Sequence, residues 1–243
     1  MDFDSREKLA ERISSLVFNF GRIWAEPYFE DCFVFSRKSC VHKIEVVNDR
    51  FYWVIDVFRF LQEGDNFERV VDWLNNSNEC NPDSTDDLVR YGSRIRLFFN
   101  KNNQFRLRNY SSFSRVFCDV EDVFDVDVRM VPEEFKFFYE RFMFVQIDCC
   151  DPLYFIKHWD SDGTVFYVDC IEPTDSLIEA LSNVKGSVIV SGSVDSIFSE
   201  LTKHGFVSEA LNLPCGEWCL WHNLKKHFGK NSLGLFEFDM SIQ

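Results

Sequence analysis

The sequence predicts an α+β fold, mainly helical in its N-terminal half and richer in strands in its C-terminal half. Three observations carry this prediction. Apolar residues recur at helical spacing up to about residue 91, and period-two alternation sets in after it. Hydrophobic residues make up 46% of the chain, with 28 phenylalanines, which favours a packed core over disorder. At 243 residues the chain suits one large domain or two small ones. A change of character near residues 111–118 separates a mainly helical region, 1–115, ending in a basic hairpin, from an α+β region, 116–243; the two also fit one continuous domain.

The elements follow in order. Asp4 and Glu7 have capping-box spacing, and Leu9, Ile13, Leu16, Val17 and Phe20 share the face that follows, which predicts a first helix. Residues 51–61 and 67–74 predict two more helices, broken at Glu63-Gly64-Asp65-Asn66, and residues 75–87 read as polar loop. Residues 94–99 and 105–110 alternate around Lys101-Asn102-Asn103, a hairpin pattern. That register sets Arg94, Arg96, Arg106 and Arg108 on one exposed face. Four arginines there would grip phosphate or an acidic partner, or form a solvated face. Residues 124–130 alternate as a half-exposed strand. Pro132, two glutamates in the first turn, and Phe135, Phe138, Tyr139 and Phe142 then predict a helix. Strands are expected at 144–147, 153–159, 164–170 and 187–190, and helices at 177–181 and 194–204, the latter stopping at Gly205.

The net charge of −14 argues against nucleic-acid binding by the whole surface. The charge is uneven, however: residues 90–115 hold seven Lys or Arg and no Asp or Glu. The N-terminal residues lack a basic and then apolar leader, and no window of about 18 apolar residues occurs, so an intracellular protein, cytoplasmic or nuclear, is expected. Nine cysteines without a secretory signal read as reduced thiols. There is no Gly-rich phosphate loop or dinucleotide fingerprint, and no cofactor is expected.

Chemistry concentrates at residues 213–224, Leu-Pro-Cys-Gly-Glu-Trp-Cys-Leu-Trp-His-Asn-Leu. Pro214 suits a helix start, and Leu220, Trp221, Leu224 and Phe228 have helical spacing up to Gly229. Cys215 would then stand at a helix N-terminus, where dipole and free N–H groups favour the thiolate. This stretch, the His158-Trp159 pair and the strand Thr164-Val-Phe-Tyr-Val-Asp-Cys-Ile-Glu-Pro173 together resemble the adenovirus-type and ubiquitin-like-protein cysteine proteases, papain-like enzymes of viruses and mobile elements, over residues 144–228.

The resemblance implies a papain-like C-terminal half and a thiol peptidase acting on a polypeptide. Cys215 would be the nucleophile, His158 the general base, and Glu172 or Asp169 the residue that orients the imidazole. Where that family places an oxyanion-binding Gln, this chain has Glu209 and Ser208. If residues 153–159 and 164–170 pair as a hairpin through Asp160-Ser161-Asp162-Gly163, Glu172 lies roughly 17 Å from His158, a broken triad. A non-enzymatic, degenerate protease binding a protein or nucleic acid through the arginine hairpin is the alternative. Cys215, Cys219, His222 and His227 also compose a possible zinc set, C-x3-C-x2-H-x4-H. Membrane association is not expected.

Overall fold

The computed structural model describes residues 3–17, 21–29, 44–49, 52–77, 79, 81–98, 143–169 and 173–224. Its elements are α1 (Phe3–Val17), β1 (Ile23–Glu26), β2 (Ile44–Asn48), α2 (Tyr52–Gln62), α3 (Asn66–Asn76), α4 (Asp87–Phe98), β3 (Gln146–Asp148), α5 (Pro152–Trp159), β4 (Thr164–Asp169), α6 (Asp175–Asn183), β5 (Ser187–Ser193), a 3-10 helix (Ile197–His204), β6 (Val207–Leu213) and β7 (Gly216–His222). Among the described residues the fold is mixed α and β around one seven-stranded sheet in the order β3-β2-β1-β4-β5-β7-β6.

Strands β3, β2, β1, β4 and β5 run parallel, while β7 runs antiparallel to both β5 and β6. Strand parity assigns each side chain to one of two cores. Trp24, Val47, Val165, Tyr167, Ile189 and Leu220 face α1 to α4, whereas Ala25, Val46, Phe166, Val168, Val188, Val190 and Trp221 face α5, α6 and the 3-10 helix. Buried on both faces, the central strands read as continuous apolar runs, as parallel strands do. Helices on both faces of a mostly parallel sheet make an α/β layer architecture. The expected mixture of helices and strands is present among the described residues, without the papain-like arrangement expected of the C-terminal half.

The helix boundaries have local causes. Asp151 caps α5, its Oδ1 accepting from the Leu153 and Tyr154 amides at 2.9 and 3.1 Å, with Pro152 in the first turn. Thr174 caps α6 by accepting from Leu177 N. Ser196 caps the 3-10 helix and Gly205, at φ +82°, ends it in the left-handed region.

Several expectations are corrected here. Residues 153–159 are helix, because Asp151-Pro152 is a cap and first turn, so they form no hairpin with β4. Residues 94–98 continue α4, so Arg94 and Arg96 lie on a helix instead of a strand. Residues 214 and 215 form the turn between β6 and β7, and the expected helix after Pro214 is strand β7. The regions 1–115 and 116–243 interleave: β1 pairs with β4 and β2 with β3. Residues 105–110, the boundary at 111–118, strand 124–130 and the helix after Pro132 lie outside the described residues. Among the described residues no helix is long and apolar enough to cross a membrane.

Candidate ligand site at the carboxyl ends of the strands

Strand order reverses between β1 and β4: the chain steps outward from β1 to β2 and β3, then returns to β4 on the other side. In open α/β sheets the connections on either side of such a reversal leave in opposite directions, and ligands bind in the crevice this makes at the carboxyl edge. The strands deliver a carboxylate to this edge in turn. β1 ends in Glu26, β2 runs into Asp49, β3 ends in Asp148 and β4 in Asp169.

Their surroundings differ. Glu26 is 2% exposed, and its Oε1 accepts from Trp24 Nε1 at 2.6 Å. Trp24 in turn stacks on Tyr167, ring centroids 5.8 Å apart, and Tyr167 Oη shares a hydrogen bond with Ser191 Oγ at 2.9 Å. Asp49 is also 2% exposed, immediately after β2, with its amide donating to Asp148 O at 3.4 Å. Asp148 accepts from Trp159 Nε1 at 2.9 Å and Gln146 Nε2 at 3.1 Å.

Asn48 holds the three strand ends together. Its Nδ2 donates to Pro27 O at 3.0 Å and Cys150 O at 3.1 Å, and its Oδ1 accepts from Cys150 N at 2.9 Å and Cys150 Sγ at 3.3 Å. Burial pushes the Cys149 and Cys150 thiols up, and neighbouring carboxylates add to this. The two face opposite cores, Cys149 toward α2 to α4 and Cys150 toward α5.

The residues expected to carry catalysis are not brought together. Cys215 is exposed in the β6–β7 turn, and its amide donates to Ser5 Oγ at 2.9 Å. Ser5 is in the first turn of α1, while Cys215 itself stands in a strand-to-strand turn and opens no helix. His158 is in the last turn of α5, next to Trp159, whose carbonyl accepts from Thr164 Oγ1 at the start of β4. Val165 is level with Ser187, and Ser193 with Trp218. The Cys215 turn is thus about ten residues, roughly 30 Å, further along the strand direction than Thr164. Base and nucleophile sit at opposite ends of the sheet. Asp169 ends β4, near neither, and Glu172 lies outside the described residues. Tyr154 stacks on His158, centroids 6.0 Å apart, on the exposed side of α5.

The zinc set does not converge either. Cys219 packs with Trp221 in one core, while His222 projects to the other face of β7, and His227 lies outside the described residues. Among the described residues no three His, Cys, Asp or Glu side chains are grouped to hold a metal ion. Glu209 forms a two-pronged pair with Arg12, Nε to Oε1 and Nη2 to Oε2, both 2.7 Å. Arg94 donates from Nε to Pro82 O at 3.1 Å and lies over the Tyr91 ring. That is a structural position for Arg94. The side chains of Arg96, Arg106 and Arg108 lie outside the described residues.

Glu26, Asn48 and Asp49 were not singled out by sequence. The available signal was two short apolar runs, Ile23-Trp24-Ala25 and Ile44 to Val47, each ending in polar residues. What the described residues define is a doubly wound α/β sheet whose strand order reverses between β1 and β4. Neither a protein-family model nor a curated protein sequence matches the chain.

Proposed function

We propose that this protein binds a nucleoside-bearing ligand in the β1/β4 crevice and belongs functionally with group-transfer α/β proteins. Asp49 is the observation that carries the reading. A buried carboxylate that closes β2, about 20 residues beyond the end of β1, occupies the position from which doubly wound proteins accept hydrogen bonds from ribose hydroxyls. Glu26 and Asp169 add acceptors on the two strands that flank the reversal.

Residues 27–43, between β1 and β2, contain no glycine. A pyrophosphate cradle needs glycine for its tight turn and for close approach of backbone N–H groups. This favours a nucleoside without phosphates over a dinucleotide. The same seven-strand order, with a reversed last strand between the fifth and sixth, is that of methyltransferases using S-adenosylmethionine, a nucleoside sulfonium; this part of the reading rests on analogy of fold. It replaces the thiol peptidase, for which Cys215 and His158 are too far apart.

A second reading, a non-enzymatic interaction protein, is favoured by the same missing glycine, since a degenerate crevice would lose its ligand and keep its fold. Isothermal titration with S-adenosylhomocysteine, adenosine and NAD separates the two. The first reading expects S-adenosylhomocysteine to bind, NAD to bind more weakly, and Asp49→Asn to weaken the nucleoside at least tenfold. Absence of heat with all three supports the interaction protein, and tighter binding of NAD overturns the argument from glycine.

A further inference from the structure

The first residues after β1 cross the end of β2. Pro27 O accepts from Asn48 Nδ2 at 3.0 Å, and the Phe29 amide donates to Asn48 O, also at 3.0 Å. Asn48 thus holds this segment both by its side chain and by the peptide group that joins it to Asp49. Between the two bonds the side chains part to opposite faces of the sheet. Tyr28 packs, half-buried, against the core under α5 and α6. Phe29, 1% exposed, packs in the core under α1 to α4, where its ring meets Phe58 of α2 edge-on, centroids 5.8 Å apart. Asp49 is on the side of Phe29, since its charge acts with that of Asp56 of α2 on the Cys149 thiol, which packs against that core.

Residues 27–29 are not part of the sheet: β1 ends at Glu26, level with Val47. Two hydrogen bonds and one buried ring fasten them, and their release parts no strand pair. Segments held in this way open locally, at less cost than the strands they cover. A buried carboxylate that is to receive ligand hydroxyls must first be uncovered, and Asp49, 2% exposed, follows directly on the peptide group to which Phe29 is bonded.

We propose that Pro27-Tyr28-Phe29 is a strap over Asp49, closed in this structure, and that nucleoside binding requires Phe29 to leave its place against Phe58. The inference rests on the reading of Asp49 as the ribose carboxylate and adds how that site is regulated. The closed form is the one without affinity, so the measured dissociation constant is the intrinsic one divided by the open fraction. Removing the ring that fastens the strap raises this fraction. Binding therefore tightens, even though the same change takes an aromatic side chain out of the core.

The test is isothermal titration of the full chain and of Phe29→Ala with S-adenosylhomocysteine, together with hydrogen exchange of the ligand-free wild type at low urea. Phe29→Ala is expected to bind at least fivefold more tightly, and binding by the variant alone would be the extreme of the same result. In the wild type the Phe29 amide is expected to exchange at least tenfold faster than the amides of Val46 and Val47, at a rate that urea hardly changes, the mark of a local opening. Equal or weaker binding by Phe29→Ala overturns the strap and leaves the nucleoside site standing. A Phe29 amide that exchanges together with Val46 and Val47 also overturns it, because the segment then opens only when the sheet does; this measurement decides the matter if the variant does not fold. Absence of binding by both proteins overturns the reading of Asp49, and the strap's role with it.

Discussion

Asn48 and Cys150 are joined by three hydrogen bonds: the Cys150 amide and thiol donate to Asn48 Oδ1 at 2.9 and 3.3 Å, and Asn48 Nδ2 donates to the Cys150 carbonyl at 3.1 Å. With the further bond to Pro27 O at 3.0 Å, one fully buried side chain fixes how the ends of β1, β2 and β3 splay. Asn48→Ala leaves the partner groups unsatisfied and is expected to cost roughly 2–4 kcal/mol, read as a shift in the urea midpoint at unchanged slope. A loss below about 1 kcal/mol contradicts the clamp.

Glu209 and Arg12 tie β6 to α1, and the pair is pH-sensitive in a definite direction. The hydrogen bond from Arg12, reinforced by its charge, holds the Glu209 carboxyl below its usual range. A depressed folded-state pKa contributes stability that is present above the unfolded value, about 4.3, and is lost as pH falls through the folded value. The pair is partly exposed, so a double-mutant cycle with Arg12→Ala and Glu209→Ala is expected to give a coupling of at most about 1 kcal/mol at pH 7. That coupling should vanish once the carboxyl is protonated. An equal coupling at both pH values would mean packing, not charge, joins the two side chains.

Thiol chemistry follows burial. Cys215 is exposed, whereas burial pushes the thiols of Cys149, Cys150 and Cys219 up and shields them. Among these four, iodoacetamide is expected to label Cys215 first in the native protein, with mass spectrometry locating the adduct. Cys215→Ser should remove that fast labelling and change stability by less than about 0.5 kcal/mol. Equally rapid native labelling of Cys219 would contradict its placement against Trp221.

At the amino ends of the strands, backbone approaches backbone. A Cβ on Gly186 would stand 2.6 Å from Thr164 O and 2.9 Å from Ser161 O, while Asp160 Oδ1 pins the Lys185 and Gly186 amides at 2.8 and 3.1 Å. Neither side has a flexible group to move. Gly186→Ala is therefore expected to cost about 2 kcal/mol or more and lower Tm by several degrees. Gly163→Ala, whose nearest contact would be 3.8 Å, is the matched control with a much smaller effect. Equal losses in the two variants would remove the steric argument.

Local signals were legible where one element carried them. The apolar face at Leu9, Ile13, Leu16 and Val17 marks α1, the break at Glu63-Gly64-Asp65 separates α2 from α3, and the run ending at Asp169 marks β4. Of the three misread stretches, two have residues that fit either period. Leu153 to Trp159 is apolar enough for a buried strand, and only the Asp151 cap makes it helical. Cys219, Leu220 and Trp221 are apolar in succession because both faces of β7 are covered, so strand alternation disappears there.

By itself the sequence determined the positions of most helices and of β4 and β5, the size of the core and the concentration of negative charge, since each depends on neighbours within a few turns of chain. Tertiary structure alone decided which strands pair, that β1 lies beside β4, and that Glu26, Asn48 and Asp49 meet at one edge while Cys215 and His158 part to opposite ends. The β1–β4 and β2–β3 pairings join residues a hundred or more positions apart through burial of both sheet faces, and no short stretch of sequence contains both partners of either pair.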